Sequence, residues 1–289
     1  MIGYDPHSWW RVAFSIQGTV VPHVLGRVGF LTGLCLALVL LDNYVLDRFG
    51  YPLPPLDQLG HTVLGTALSL LIVFRTNTAY ARFWEARTLW GGIINASRNL
   101  LRLGSAHAPP ADDLARLVSA FAVILKQSLR GSRDFTAVRS LLPASLFEQL
   151  GTAPNSPNVV TSAMSGWVRE QIVVEKLEPI MAAQIERAIA AIVDCQGGCE
   201  RIRNTPVPFT YAALIKISLL LYLMTLPFVL VAKMGFAAPL VVAGVSLAML
   251  GIEEAGVEIE SPFGQEPNNL PLDMFCDTIA RDASQISAR

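Results

Sequence analysis

Charge is what this chain has least of. Only 16% of its 289 residues are Asp, Glu, Lys or Arg, where ordinary soluble domains carry roughly 25%. Acids and bases nearly cancel, leaving a formal net charge of −1. No global basic field is therefore present to draw in nucleic acid, and no nucleic-acid partner is expected. Cysteine is scarce too. The four residues, at 35, 195, 199 and 276, are too scattered for a disulfide framework and fit a reducing compartment. The four histidines, His7, His23, His61 and His107, are too dispersed for a catalytic or metal group. No HExxH, GxSxG, Walker A or GxGxxG pattern occurs, and no paired carboxylates stand out. The reading is of a protein that is not an enzyme, with no cofactor and no metal assigned. MIGYDPHSWWRVAF lacks the basic start and small-residue cleavage site of a signal peptide. The first apolar segment is expected to stay in the chain.

What the chain has in abundance is apolar residues, at 52%, with a mean hydropathy of +0.45. Four stretches read as membrane-spanning helices, at about 27–46, 60–78, 211–233 and 235–252. Pro227 is a candidate kink in the third, and the glycines of the fourth point to close helix packing. Arginine placement sets the orientation. Arg75, Arg82 and Arg87 follow the second stretch, and Arg201 and Arg203 precede the third. The link at 47–59 holds only Arg48 against Asp47 and Asp57. The positive-inside rule then puts both termini and the long middle segment in the cytoplasm. The expected organisation is 1–78 with two spans, 79–205 as a cytoplasmic helical domain, 206–252 with two more spans, and 253–289 as a cytoplasmic C-terminal segment.

The middle segment reads helical almost throughout. Leu114, Leu117, Val118, Phe121 and Leu125 fall on one face, with Asp112 or Asp113 placed as an N-cap. A break is expected near Pro179. Cys195 and Cys199 are four residues apart and would share a helical face, but nothing completes a four-ligand set. No β-sheet and no internal repeat is visible, which argues against a secondary transporter built from repeats. The expected fold class is therefore an all-α integral membrane protein with four transmembrane helices and a helical cytoplasmic domain.

Three passages ask for more than a membrane anchor. In the second apolar stretch Thr66, Leu70 and Phe74 recur at four-residue spacing, one helical stripe. It faces lipid or core, or it lines a pore whose apolar constriction gates by dewetting. Immediately after comes FRTNTAYARFWEAR (74–87), dense in arginine, amide and aromatic side chains. It serves as an interfacial anchor, with Arg82 and Glu85 spaced to pair, or as a region of buried polar contacts. The Pro206-Val207-Pro208 elbow fixes an extended approach to the third helix. Glu253, Glu254, Glu258 and Glu260 crowd eight residues after the fourth. Such a cluster binds Ca²⁺ in an oxygen-rich turn, forms a solvated surface, or lines a cation-attracting vestibule.

Phe74–Arg87, the Pro206-Val207-Pro208-Phe209-Thr210-Tyr211 elbow, and Glu260-Ser261-Pro262-Phe263-Gly264 with Leu270-Pro271-Leu272-Asp273 together resemble the bestrophin family, in its bacterial branch. The resemblance covers nearly the whole chain. It implies a homopentameric ion channel in a bacterial inner membrane, with the lipid bilayer, other copies of itself and monovalent ions as partners. Cations such as sodium are the expected ions, with chloride as the alternative and a non-conducting membrane-anchored interaction protein as a further one. It implies a pore neck at Thr66, Leu70 and Phe74 and a cytoplasmic aperture just before the elbow, with Ile202 and Thr205 as candidates. Glu253, Glu254, Glu258 and Glu260 are candidate vestibule charges. The run Gln265-Glu266-Pro267-Asn268-Asn269 stands where eukaryotic members carry an acidic Ca²⁺ site. Its Asn residues remove charge, so no Ca²⁺ activation is expected there.

Overall fold

The computed structural model describes residues 5, 7–46, 49–50, 53 and 56–287. Asp47 and Arg48, used above for orientation, and residues 1–4 and 6 of the N-terminus lie outside them. All regular structure among the described residues is helical. The α-helices there are α1 (Trp9–Ala13), α2 (Val21–Leu41), α3 (Gln58–His107), α4 (Asp112–Leu129), α5 (Ala144–Thr152), α6 (Ser156–Val173), α7 (Pro179–Asn204), α8 (Phe209–Met234), α9 (Ala238–Glu260) and α10 (Leu272–Ser287). The chain divides into two units, Ile2–Ala81 with Val207–Glu260, and Arg82–Pro206 with Ser261–Arg289.

The first unit is apolar. Val21–Leu46, Gln58–His107 and Phe209–Glu260 are long and apolar enough to cross a membrane. The last stretch contains two helices, α8 and α9, joined by a short 3₁₀ turn at Gly235–Ala237. Gly235 takes φ +50°, a left-handed conformation that a residue without Cβ adopts cheaply. α2 begins at Val21, six residues before the expected start, with Pro22 in its first turn, where a missing N–H costs nothing. Its buried stripe is Val24, Val28, Leu31, Cys35 and Val39, packed against α8 and α9. In lipid, apolar contrast does not hold helices together, so close packing and polar contacts must. Gly65 of α3 supplies one such contact. A Cβ there would lie 2.9 Å from the Tyr222 ring of α8. His61, one turn earlier, stacks on the same ring with centroids 4.2 Å apart. Lys233 of α8 hydrogen-bonds Gln58 at the start of α3.

The second unit is built around α4, which packs against α6, α7 and α10. The expected face, Leu114, Leu117, Val118, Phe121 and Leu125, is buried. The N-cap expectation needs correction. Ala111 occupies the cap, and Asp112 and Asp113 lie in the first turn, where their charge still meets the positive end of the helix dipole. The expected break falls at 174–178, between α6 and α7, with Glu175 at φ 59°. α10 is a helix that the sequence reading leaves unassigned. It buries Leu272, Phe275, Cys276, Ile279 and Ala283, an amphipathic spacing. Asp273 ties it to Lys126 and Arg130 of α4, and Asp282 ties it to Arg98 of α3.

The spacing of Cys195 and Cys199 serves packing in this unit. Sulfur Sγ of Cys195 would be 2.7 Å from a Cβ on Gly92, and Leu89 would be 2.7 Å from a Cβ on Gly198. Small residues thus let α3 and α7 approach closely. Burial pushes the Cys199 thiol up to about 12, so almost none of it is thiolate near neutral pH.

Candidate functional site

The stripe expected to line a pore is on the exposed face of α3. Leu70 and Phe74 are 55% and 54% exposed, and Thr66 is exposed as well. The opposite face carries Leu68, Ile72, Arg75 and Ala79, all buried. The Thr66 hydroxyl donates to the Thr62 carbonyl at 2.9 Å. That back-bond satisfies the hydroxyl within its own helix, so Thr66 presents a less polar surface than its residue type implies. The whole stripe is uncharged.

Directly after Phe74 the chain buries a cation. Arg75 donates from Nη1 to Glu253 Oε1 at 2.5 Å and from Nη2 to Glu260 Oε2 at 3.4 Å. Arg75 and Glu253 are 4% and 2% exposed. A buried charge persists only when paired, and here α3 supplies the cation and α9 the carboxylates. The sequence reading missed this pair. Its signal is an ionisable residue at each of two helix positions continuous with apolar segments, which by default have a partner.

The same contacts change the picture of the acidic cluster. α9 runs on to Glu260, so Glu253, Glu254, Glu258 and Glu260 are helical and form no oxygen-rich turn. Glu253, one of the four candidate vestibule charges, is buried within its unit. Its carboxylate is held by Arg75 and approached by Lys216 at 3.6 Å. Glu254 pairs with Arg27 at 3.0 Å. Glu258 is half-buried. Among the described residues no group of three or more His, Cys, Asp or Glu is disposed to hold a metal ion. The Asn269 side chain, 2% exposed, accepts the Glu266 N–H at 2.9 Å and so closes the turn after Gly264.

The two aperture candidates differ. Ile202 is 4% exposed and packs inside its own unit. Thr205 is exposed at the end of α7. Arg82 fixes this end by donating to the Ile202 and Thr205 carbonyls at 2.7 and 2.6 Å. Those carbonyls are otherwise orphaned at a helix C-terminus, and a guanidinium there also complements the dipole. Glu85, spaced to pair with Arg82, reaches Arg201 at 2.6 Å. Arg87 lies over the Phe275 ring, 4.9 Å from its centroid, a cation–π contact. Asn77, the amide within 74–87, is exposed.

An apolar helical unit with an uncharged exposed stripe, next in sequence to a helical unit with a conventional core, defines an all-helical integral membrane protein. The family described as Bacterial/Fungal Bestrophin protein matches residues 1–285, and the chain belongs to the bestrophin family. A voltage-dependent anion channel-forming protein of Nostoc sp. is 35% identical over 288 residues, covering 97% of this chain and 92% of that protein. A protein of the same description from Salmonella typhi is 30% identical, covering 99% and 94%. A solved bacterial bestrophin homolog from Klebsiella pneumoniae matches with a TM-score of 0.84 at 27% identity. That match covers 92% of this chain and 99% of that one. The relatives are named as channel formers, not as enzymes.

Proposed function

We propose that the chain is the subunit of a homopentameric ion channel that passes monovalent ions passively through a central pore. The observation that carries this reading is the uncharged stripe Thr66, Leu70 and Phe74, left exposed on α3 while the opposite face is buried. Five copies of that stripe around an axis make a neck whose barrier is the cost of dehydrating an ion between apolar rings. Ile202 and Thr205 are the aperture candidates, with both backbone carbonyls held by Arg82.

The membrane is crossed four times, by α2, the first part of α3, α8 and α9. Phe209–Glu260 has 52 residues, roughly 78 Å as a single straight helix, against a hydrocarbon core of about 30 Å. Two passes joined at Gly235 fit that length. The arginines after α3's apolar part and before α8 support cytoplasmic termini, in the inner membrane of a bacterium.

The neck itself carries no sign. Cations such as sodium are the first reading, on the resemblance to bacterial bestrophins. Two observations favour chloride as a second. Relatives are named as anion channel-forming, and arginines balance Glu253, Glu254 and Glu260. The deciding experiment is the reversal potential of purified protein in a planar bilayer under a NaCl gradient. A shift to the sodium equilibrium potential supports the first reading, and a shift to the chloride potential replaces it with the second. Absence of any current contradicts the channel itself.

A further inference from the structure

The apolar unit holds a cavity of about 420 Å³ among α2, α8 and α9, with Arg27, Phe30, Lys216, Leu220, Leu223 and Glu253 in its lining. Its volume is that of a ligand site. Its lining is sorted along its length. Arg27 and Lys216 stand at one end. Phe30 and Leu31 follow Arg27 by one turn, and Leu219, Leu220 and Leu223 follow Lys216 over two turns. α9 repeats the order in reverse, with Leu250 one turn before Glu253. Three helices therefore agree on a charged end and an apolar end. The apolar floor below Lys216 runs roughly 10 Å at 1.5 Å per residue.

The two cations are available. The Arg27 and Lys216 side chains are 51% and 56% exposed. Arg27 meets Glu254, itself partly exposed, in a pair of the surface kind that contributes little. The Glu253 carboxylate is taken at 2.5 Å by Arg75, and Lys216 stands off from it at 3.6 Å. A guanidinium and an ammonium above an apolar slot match an amphiphile with an anionic phosphate and a hydrocarbon chain.

We propose that this groove binds one anionic phospholipid, with its phosphate on Arg27 and Lys216 and an acyl chain along Phe30, Leu219, Leu220 and Leu223. The occupant is anionic because a zwitterionic lipid would bring its own cationic headgroup up to Arg27 and Lys216 together with its phosphate. It is a lipid and not a soluble anion because the rest of the lining is apolar. The bound phosphate would stand beside the carboxylate that holds Arg75. Binding at this groove does not depend on whether the protein conducts.

The test is lipid retention, measured by native mass spectrometry of the full chain purified from vesicles of phosphatidylglycerol and phosphatidylcholine in equal amounts. Phosphatidylglycerol should be retained over phosphatidylcholine at least about tenfold, given two cations near one phosphate. The double variant R27Q/K216Q should reduce that preference to near unity. Leu220→Trp, which keeps both charges and fills the slot, should lower retention of both lipids. Equal retention of the two lipids by the unaltered protein overturns the proposal, as does a preference that survives R27Q/K216Q. Loss of all lipid together with ready crosslinking between copies through Leu220→Cys overturns it in favour of a neighbouring copy covering the groove.

Discussion

Arg75 and Glu253 form a buried ion pair, Nη1 to Oε1 at 2.5 Å, one residue beyond Phe74. The pair joins α3 to α9 at the end of the exposed stripe. Removing one member leaves the other as a buried, poorly compensated charge, which typically costs about 3–5 kcal/mol. Arg75→Met or Glu253→Gln should each lower the melting temperature in detergent sharply. The double substitution Arg75→Met/Glu253→Leu should lose much less than the sum. Additive losses would show that the two side chains do not act as a pair.

Gly65 is a second junction within the same unit. The Cβ of an alanine would stand 2.9 Å from the Tyr222 ring, and His61 stacks on that ring. Gly65→Ala should therefore destabilise by about 1–3 kcal/mol through overpacking. Adding Tyr222→Leu should recover part of the loss. A thermal melt of Gly65→Ala that overlays the original protein would remove Gly65 as a packing contact.

Two thiols of the second unit, Cys199 and Cys276, should be inert. Burial pushes Cys199 and Cys276 up to about 12, so almost no thiolate exists near neutral pH. Maleimide at pH 8 should label these two positions only after denaturation, read by peptide mass spectrometry. Labelling of either within minutes in the folded protein would contradict the burial described.

Asp273 gives the second unit an acid dependence. Hydrogen bonds from Lys126 and Arg130 hold its carboxyl below the usual carboxylate range. A lowered folded value means that its stabilisation is complete above the unfolded value near 3.9. It is lost as pH falls through the folded value. Asp273 is well exposed, so the effect is small. Asp273→Asn should flatten the pH dependence of stability below pH 5 without altering it at pH 8. An unchanged acid profile would show that these bonds contribute nothing in solution.

Much of this architecture was legible because the sequence carries strong periodic signals. The apolar runs marked the helices of the first unit, and the spacing of Leu114, Leu117, Val118, Phe121 and Leu125 marked the core face of α4. Proline marked the elbow at 206–208, whereas Gly235, counted in the fourth span, turned out to head the 3₁₀ turn between α8 and α9. α10 has equally plain spacing in Leu272, Phe275, Cys276 and Ile279, hidden only by the acidic and proline-rich passage before it. What sequence cannot give is which charges meet across distant segments. Arg75 and Glu253 are 178 residues apart, and spacing on one helix favours Glu85 for Arg82 where the fold gives Glu85 to Arg201. The distinction between Ile202 and Thr205 is of the same kind. The apolar residue, two positions before the end of α7, turns into the core, and the polar one just past that end stays outside.

The central claim is that the exposed stripe on α3 lines the ion path. Its most direct test is single-channel current through Phe74→Ala in planar bilayers, compared with the unaltered protein at the same salt concentration. Phe74 is the largest of the three uncharged side chains, so its truncation widens the neck and lowers the dehydration barrier. The account predicts a higher conductance. Current and gating identical to those of the unaltered protein would contradict it.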